Sequence, residues 1–182
     1  FELANLSVTD AALTYTDRAS GGVYAAEGCD AEIPQLRIAG GNGAKAPNNL
    51  FFTAEVACRQ LSGADLSAAD VRLSAVARDG VFDLDPVTLR VFDAQGTGHI
   101  RVDFSGTVPH YRIVHSLQQF DIAQVFKART AQELSAGRMD FTADLTLRGS
   151  STVDLKRSTQ GQVSLRGENL VLHGSDIDRE IA

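Results

Sequence analysis

Arg138-Met139-Asp140-Phe141-Thr142-Ala143-Asp144-Leu145-Thr146-Leu147 alternates apolar and polar residues without a break. Successive side chains of an extended strand point to opposite sides, so Met139, Phe141, Ala143, Leu145 and Leu147 share one face while the charges and hydroxyls share the other. The same period of two returns in His99-Ile100-Arg101-Val102-Asp103-Phe104 and in Val71-Arg72-Leu73-Ser74-Ala75. A chain that repeats this pattern builds a half-buried sheet, apolar on one side and wet on the other.

Working outward, the carboxy-terminal half reads as strands Met139 to Arg148, Ser151 to Leu155, Gly161 to Arg166 and Asn169 to Leu172. Before them come Phe51 to Arg59, Asp70 to Arg78, Gly80 to Leu84, Val87 to Asp93, Gly98 to Thr107 and Tyr111 to Leu117. Asp79-Gly80 and Ala94-Gln95-Gly96-Thr97-Gly98 have turn chemistry and make this a meander of antiparallel neighbours. Residues 1 to 38 read as strands Asn5 to Val8, Ala12 to Thr16 and Gly22 toward Ile38, the last with break points at Gly28 and Pro34. Asp17-Arg18-Ala19-Ser20-Gly21-Gly22 supplies a hairpin connection. Residues 39 to 49 are a Gly/Asn-rich loop without the spacing and following helix of a phosphate-binding turn.

Helix enters twice. In residues 120 to 128, Ile122, Val125 and Phe126 fall at i, i+3 and i+4 behind a capping Asp121, and the pattern continues toward Leu134. Ser175 caps the second, residues 175 to 181. The fold class expected is therefore mainly β and antiparallel, with two short helices, over residues 1–182 as one domain.

The chain has 182 residues, enough for one domain with a sizeable core, and 43% hydrophobic with 22% charged residues argues against disorder. A net charge of -6 with no Lys/Arg cluster gives no field that attracts nucleic acid. No apolar run reaches the length of a spanning helix. The chain opens at Phe1, already in strand-like sequence, as expected of a fragment or processed product. Any targeting or anchoring segment then lies upstream.

Catalytic and metal chemistry find little foothold. His99, His110, His115 and His173 are scattered, with no Gly-x-Ser-x-Gly elbow to present a nucleophile. Asp83 with Asp85, and Asp140 with Asp144, share strand faces as solvated carboxylates do. Cys29 and Cys58 have no histidine at ligand spacing, so they cannot complete a zinc site. They form a disulfide if their strands are neighbours, in an oxidising compartment, or else two buried free thiols. Catalytic residues, metal ligands and cofactors are therefore expected to be none.

Three stretches bear a resemblance to a known family. They are Val71 through Val87, with its strand, Asp79-Gly80 turn and strand; Gly98 through Phe126, with Ser105-Gly106-Thr107-Val108-Pro109 between strands and then Phe120-Asp121-Ile122; and Leu147 through Ile177, with its strand, Gly, strand, Gly, helix ending. In this order they resemble the carboxy-terminal region of AsmA-type (AsmA/TamB-like) proteins of Gram-negative envelopes. Leu6 through Asp17 is similar to a strand, turn, strand opening in the same proteins.

The resemblance implies a periplasmic, non-enzymatic protein of outer-membrane biogenesis, anchored in the inner membrane by a segment outside these residues. Its sheet would be strongly curved or half open, a groove conducting phospholipid acyl chains between membranes. By alternation the lining would be Leu73, Val87, Leu89, Val91, Ile100, Val102, Phe104, Met139, Phe141, Leu145, Leu147, Val163 and Leu165. The residues by themselves slightly favour a closed β-sandwich burying the same faces, which would make the chain a structural module docking envelope partners, and it is the resemblance that turns the reading to the groove.

Overall fold

The computed structural model describes residues 1–18, 21–39, 46–63, 66–125 and 135–172. Within them lie nine strands: β1 (Glu2–Thr16), β2 (Val23–Ile38), β3 (Leu50–Gly63), β4 (Leu66–Arg78), β5 (Val81–Val91), β6 (Ala94–Asp103), β7 (His110–Asp121), β8 (Ser135–Arg148) and β9 (Gln160–Leu172). They form a single antiparallel sheet in the order of the chain, each strand hydrogen-bonded to the next. The sheet is not closed into a barrel, and β1 and β9 are its two edges. A 3-10 turn (Ala46–Asn49) precedes β3, residues 122–125 are helical, and a short helix α1 (Thr152–Ser158) joins β8 to β9.

A closed sandwich is thereby overturned. One sheet contains every strand, and no second layer packs on it among the described residues. The sheet is instead bent hard on itself. The Thr152 hydroxyl, just beyond β8, donates to the Asp17 carboxylate, just beyond β1, at 3.1 Å. Seven strand spacings in a flat sheet would hold these elements about 34 Å apart sideways, and the two residues also lie at opposite ends of the strands. A twist of about 20 to 25° per strand accumulates to nearly half a turn over that distance. That rotation brings the opposite strand ends to the same level, and curling of the sheet across its width closes the lateral gap between β1 and β8.

Several element boundaries differ from the sequence-based expectation, each for a local reason. Asn5 to Val8 and Ala12 to Thr16 are one strand, because Asp10 takes a left-handed φ of 47° and bulges the ladder without ending it. Its N–H is satisfied by the Asp30 carboxylate at 2.9 Å. β2 likewise runs through Gly28 (φ 58°), and its register shifts between Glu32 and Gln35, around Pro34. β5 unites Gly80 to Leu84 with Val87 to Asp93, since the missing N–H of Pro86 falls within a register shift between Leu84 and Val87.

Residues 94–98, expected as a turn, open β6. The turn is only Phe92-Asp93, both with positive φ (50° and 59°), as a two-residue hairpin requires. Ser151 to Leu155, expected as a strand, is instead the start of α1. The Ser151 hydroxyl accepts from the Asp154 N–H at 3.1 Å and donates to its carboxylate at 2.7 Å, a cap that outweighs the strand preference of Thr152 and Val153. Gly161 to Arg166 and Asn169 to Leu172 merge in β9.

Phe120 and Asp121 finish β7 rather than opening a helix. Asp121 still caps the helical residues 122–125, accepting the Ala123 N–H at 2.9 Å. The rest of that helix and the terminal helix expected at residues 175 to 181 lie outside the described residues, as does most of the Gly/Asn-rich loop.

Candidate functional site: one apolar face across the whole sheet

Strand partners directly opposite one another share a face, so the pairing register maps the sheet surface row by row. Near one end the row runs Leu36, Phe52, Ala77, Phe82, Val102, Tyr111, Leu147. The next reads Ala54, Ala75, Leu84, Ile100, Ile113, Leu145. The middle row crosses the entire sheet as Val8, Ala31, Val56, Leu73, Val87, Gly98, His115, Ala143, Val163. Beyond it lie Leu89, Gly96, Leu117, Phe141 and Leu165, then Val91 beside Ala94 and Phe120 beside Met139.

All the residues selected by alternation fall on this one surface. Phe104 joins it through its ring, which meets Phe82 and Tyr111 edge-on at centroid distances of 5.6 and 6.4 Å. The alternation missed Phe82, Leu84, Tyr111, Ile113 and Leu117. In β7 the signal was masked by Val114, an apolar residue on the opposite face beside Asp144. In β5 the bulge at Pro86 puts Leu84 and Val87 on the same side although their spacing is odd.

How this surface is covered decides its character. Every strongly buried hydrophobic residue belongs to it: Ala54, Cys58, Val71, Ala77, Val87, Ala94, Leu117, Phe120 and Ala143. Many of these are alanines, sunk between taller neighbours. Among the described residues no large side chain is fully buried, and exposure on this face rises to 57% for Val163 and 59% for Leu165 near the β9 edge. Among the described residues one corner has a lid, where Ile122 and Val125 of the helical residues pack on the cluster of Ala94, Leu117 and Phe120.

Cys29 and Cys58, register partners in β2 and β3, are joined by a disulfide. A loop of that size stabilises by roughly 3.6 kcal/mol in the chain-entropy model. His115 is the one polar interruption of the middle row. Its ring lies across Gly96 and Gly98, where an added Cβ would come within 2.4 and 2.8 Å of ring atoms. Burial pushes its pKa below the usual imidazole value, and its Nε2 has no hydrogen-bond partner among the described residues. It sits in the apolar row as a neutral ring.

The opposite face is ionic. Arg101 pairs with Asp83 at 2.7 Å, Arg112 with Asp144 at 3.0 Å and Arg90 with Asp70 at 2.7 Å. The hydrogen bond from Arg112 holds the Asp144 carboxyl below the usual carboxylate range. Asp140 accepts the Gln119 N–H at 2.8 Å, and His99 lies 3.5 Å from Asp83. The carboxylates singled out in the sequence thus brace the sheet.

A family model, described as the AsmA family, matches residues 47–182, from the 3-10 turn before β3 onward. No curated protein and no solved structure matches the chain.

Proposed function

The chain belongs to the AsmA family, and from that premise we propose that it is a non-enzymatic protein that binds phospholipid acyl chains along its apolar face and conducts them between membranes. The family is associated with the envelope and with outer-membrane biogenesis. A periplasmic setting, and an inner-membrane anchor contributed by a segment outside residues 1–182, belong to the same proposal. No helix among the described residues is long and apolar enough to cross a membrane.

The observation that carries the reading is a row, apolar but for His115, crossing every strand from Val8 to Val163 with no second layer above it among the described residues. Ten Leu, Ile, Val and Phe side chains left wholly bare would forgo roughly 15 to 30 kcal/mol, and the partial exposure along this face leaves a share of that open to a filler. Acyl chains match the chemistry of the face along its whole length. The competing reading, a structural module docking envelope partners, draws on the two open edges, β1 and β9, where a partner strand can add by backbone pairing.

The test is to purify the protein from cells and identify co-extracted phospholipid by mass spectrometry. Phe141→Asp and Leu145→Asp should lose the lipid with circular dichroism unchanged, while Thr142→Asp on the other face should keep it. Absence of lipid from every preparation would leave the docking module as the better account.

A further inference from the structure

A second site lies on the ionic side. At the end of the sheet where β8 passes into α1, a cleft of about 1400 Å³ is lined by Arg101, Arg112, Arg148, Arg157 and His110. Register fixes how the strand residues meet: Arg101 stands beside Arg112, and His110 beside Arg148. α1 closes on them because the Ser158 hydroxyl donates to the Arg148 carbonyl at 2.6 Å and accepts the Arg148 N–H at 2.8 Å. That clamp brings Arg157, the residue before Ser158, to the same wall.

Within the cleft, Arg101 pairs with Asp83 and Arg112 with Asp144, whereas no ion pair engages Arg148 or Arg157 among the described residues. Neither lining carboxylate forms an ion pair with them, and both are held by serines. Asp103 accepts from the Ser105 N–H at 2.8 Å and its hydroxyl at 2.6 Å, and Asp154 accepts from the Ser151 hydroxyl at 2.7 Å. In a chain of net charge -6, two unpaired guanidinium groups converging on one cleft call for an anion from outside.

We infer that this cleft is a phosphate-binding site. A carboxylate is satisfied by one guanidinium fork. A phosphate group presents oxygens in several directions and accepts forks from two elements at once, here the end of β8 and the last turn of α1. A soluble phosphate monoester and the headgroup of an anionic phospholipid offer the same chemistry. Arg101, Arg112 and Arg148 stand on the strand face opposite the apolar rows, although Tyr111 and Leu147 from the end of those rows also line the cleft.

Calorimetric titration with glycerol 3-phosphate and co-sedimentation with phosphatidylglycerol vesicles test it and separate the two sources. The double variant Arg148→Gln/Arg157→Gln should weaken binding at least about tenfold, the loss of charge-assisted hydrogen bonds. Arg148→Lys/Arg157→Lys, which keeps the charge without the forks, should fall between, and all variants should keep the wild-type circular dichroism. Vesicle binding lost in the double variant and competed by glycerol 3-phosphate identifies a headgroup; ester binding without vesicle binding identifies a soluble ligand. Leu145→Asp should leave ester binding intact whatever it does to acyl chains. The inference is overturned if wild type binds neither probe, if the double variant binds like wild type, or if Arg59→Gln, in an ion pair with Asp10, costs as much.

Discussion

The centre of the apolar face and its margins are built by the same alternation but end in different states. In β5 to β8, Leu117 and Phe120 are 6% and 5% exposed, flanked by strands on both sides and capped by Ile122 and Val125. In β1 and β9, Val8 is 42% exposed and Leu165 59%, although the register sets them on the same surface as their buried counterparts. Period-two patterning therefore decides which way a side chain points, and neighbours decide whether it is covered. A sandwich would have buried the margins as well. Here the hydrophobic residues near the edges stay exposed among the described residues.

The largest expected effect lies at the covered centre. Phe120→Ala should cost about 3 to 5 kcal/mol in denaturant unfolding, the usual range for emptying a buried aromatic site. Leu165→Ala, largely solvent-exposed already, should cost less than about 1 kcal/mol. Equal losses would mean the margin is packed and would erase the contrast.

Next in size is the tie that braces the β1–β3 margin. Replacing Cys29 and Cys58 together by alanine should cost about 2 to 4 kcal/mol. Unfolding followed with a probe in β2 should then precede unfolding followed in β7. Coincident transitions in that variant would show that the margin and centre melt as one unit.

A smaller effect is expected at the glycines under His115. A Cβ at Gly98 would lie 2.4 Å from the Val114 carbonyl oxygen as well as against the ring, so Gly98→Ala should destabilise by about 1 to 3 kcal/mol. Gly21→Ala, whose site is open but whose φ is 71°, isolates the backbone contribution.

The smallest contrast is one of pH. Because burial lowers the pKa of His115 in the fold, the unfolded chain takes up the proton first as pH falls. The stability from keeping the ring neutral is complete above the ordinary imidazole value, near 6.5, and is lost progressively as pH drops toward the folded-state value. His115→Gln should flatten that part of the pH–stability curve. An unchanged curve would remove His115 as its cause.

Much of this surface was legible in Met139 through Leu147, where nothing interrupts the alternation and one strand sets the parity for its neighbours. Legibility failed where a single backbone residue resets that parity. Asp10, Pro86 and Gln119 each sit at a bulge or register shift, and counting by twos cannot see the change of face. α1 was hidden for a different reason. Thr152 and Val153 favour a strand intrinsically, and only the reciprocal bonds between Ser151 and Asp154 reveal that the local minimum is helical. The phosphate cleft was invisible because its cations, Arg101, Arg112, Arg148 and Arg157, are dispersed along the chain and are gathered by register and by the Ser158 clamp.

The central claim is that acyl chains occupy the apolar side of this sheet and not the ionic side. A photo-crosslinking phenylalanine analogue placed at Leu145, or at Thr142 on the opposite face of the same strand and away from the arginine cleft, tests this in living cells. Covalent phospholipid adducts at position 145 and none at 142 are the expected result; equal labelling at both, or labelling at neither, would contradict it.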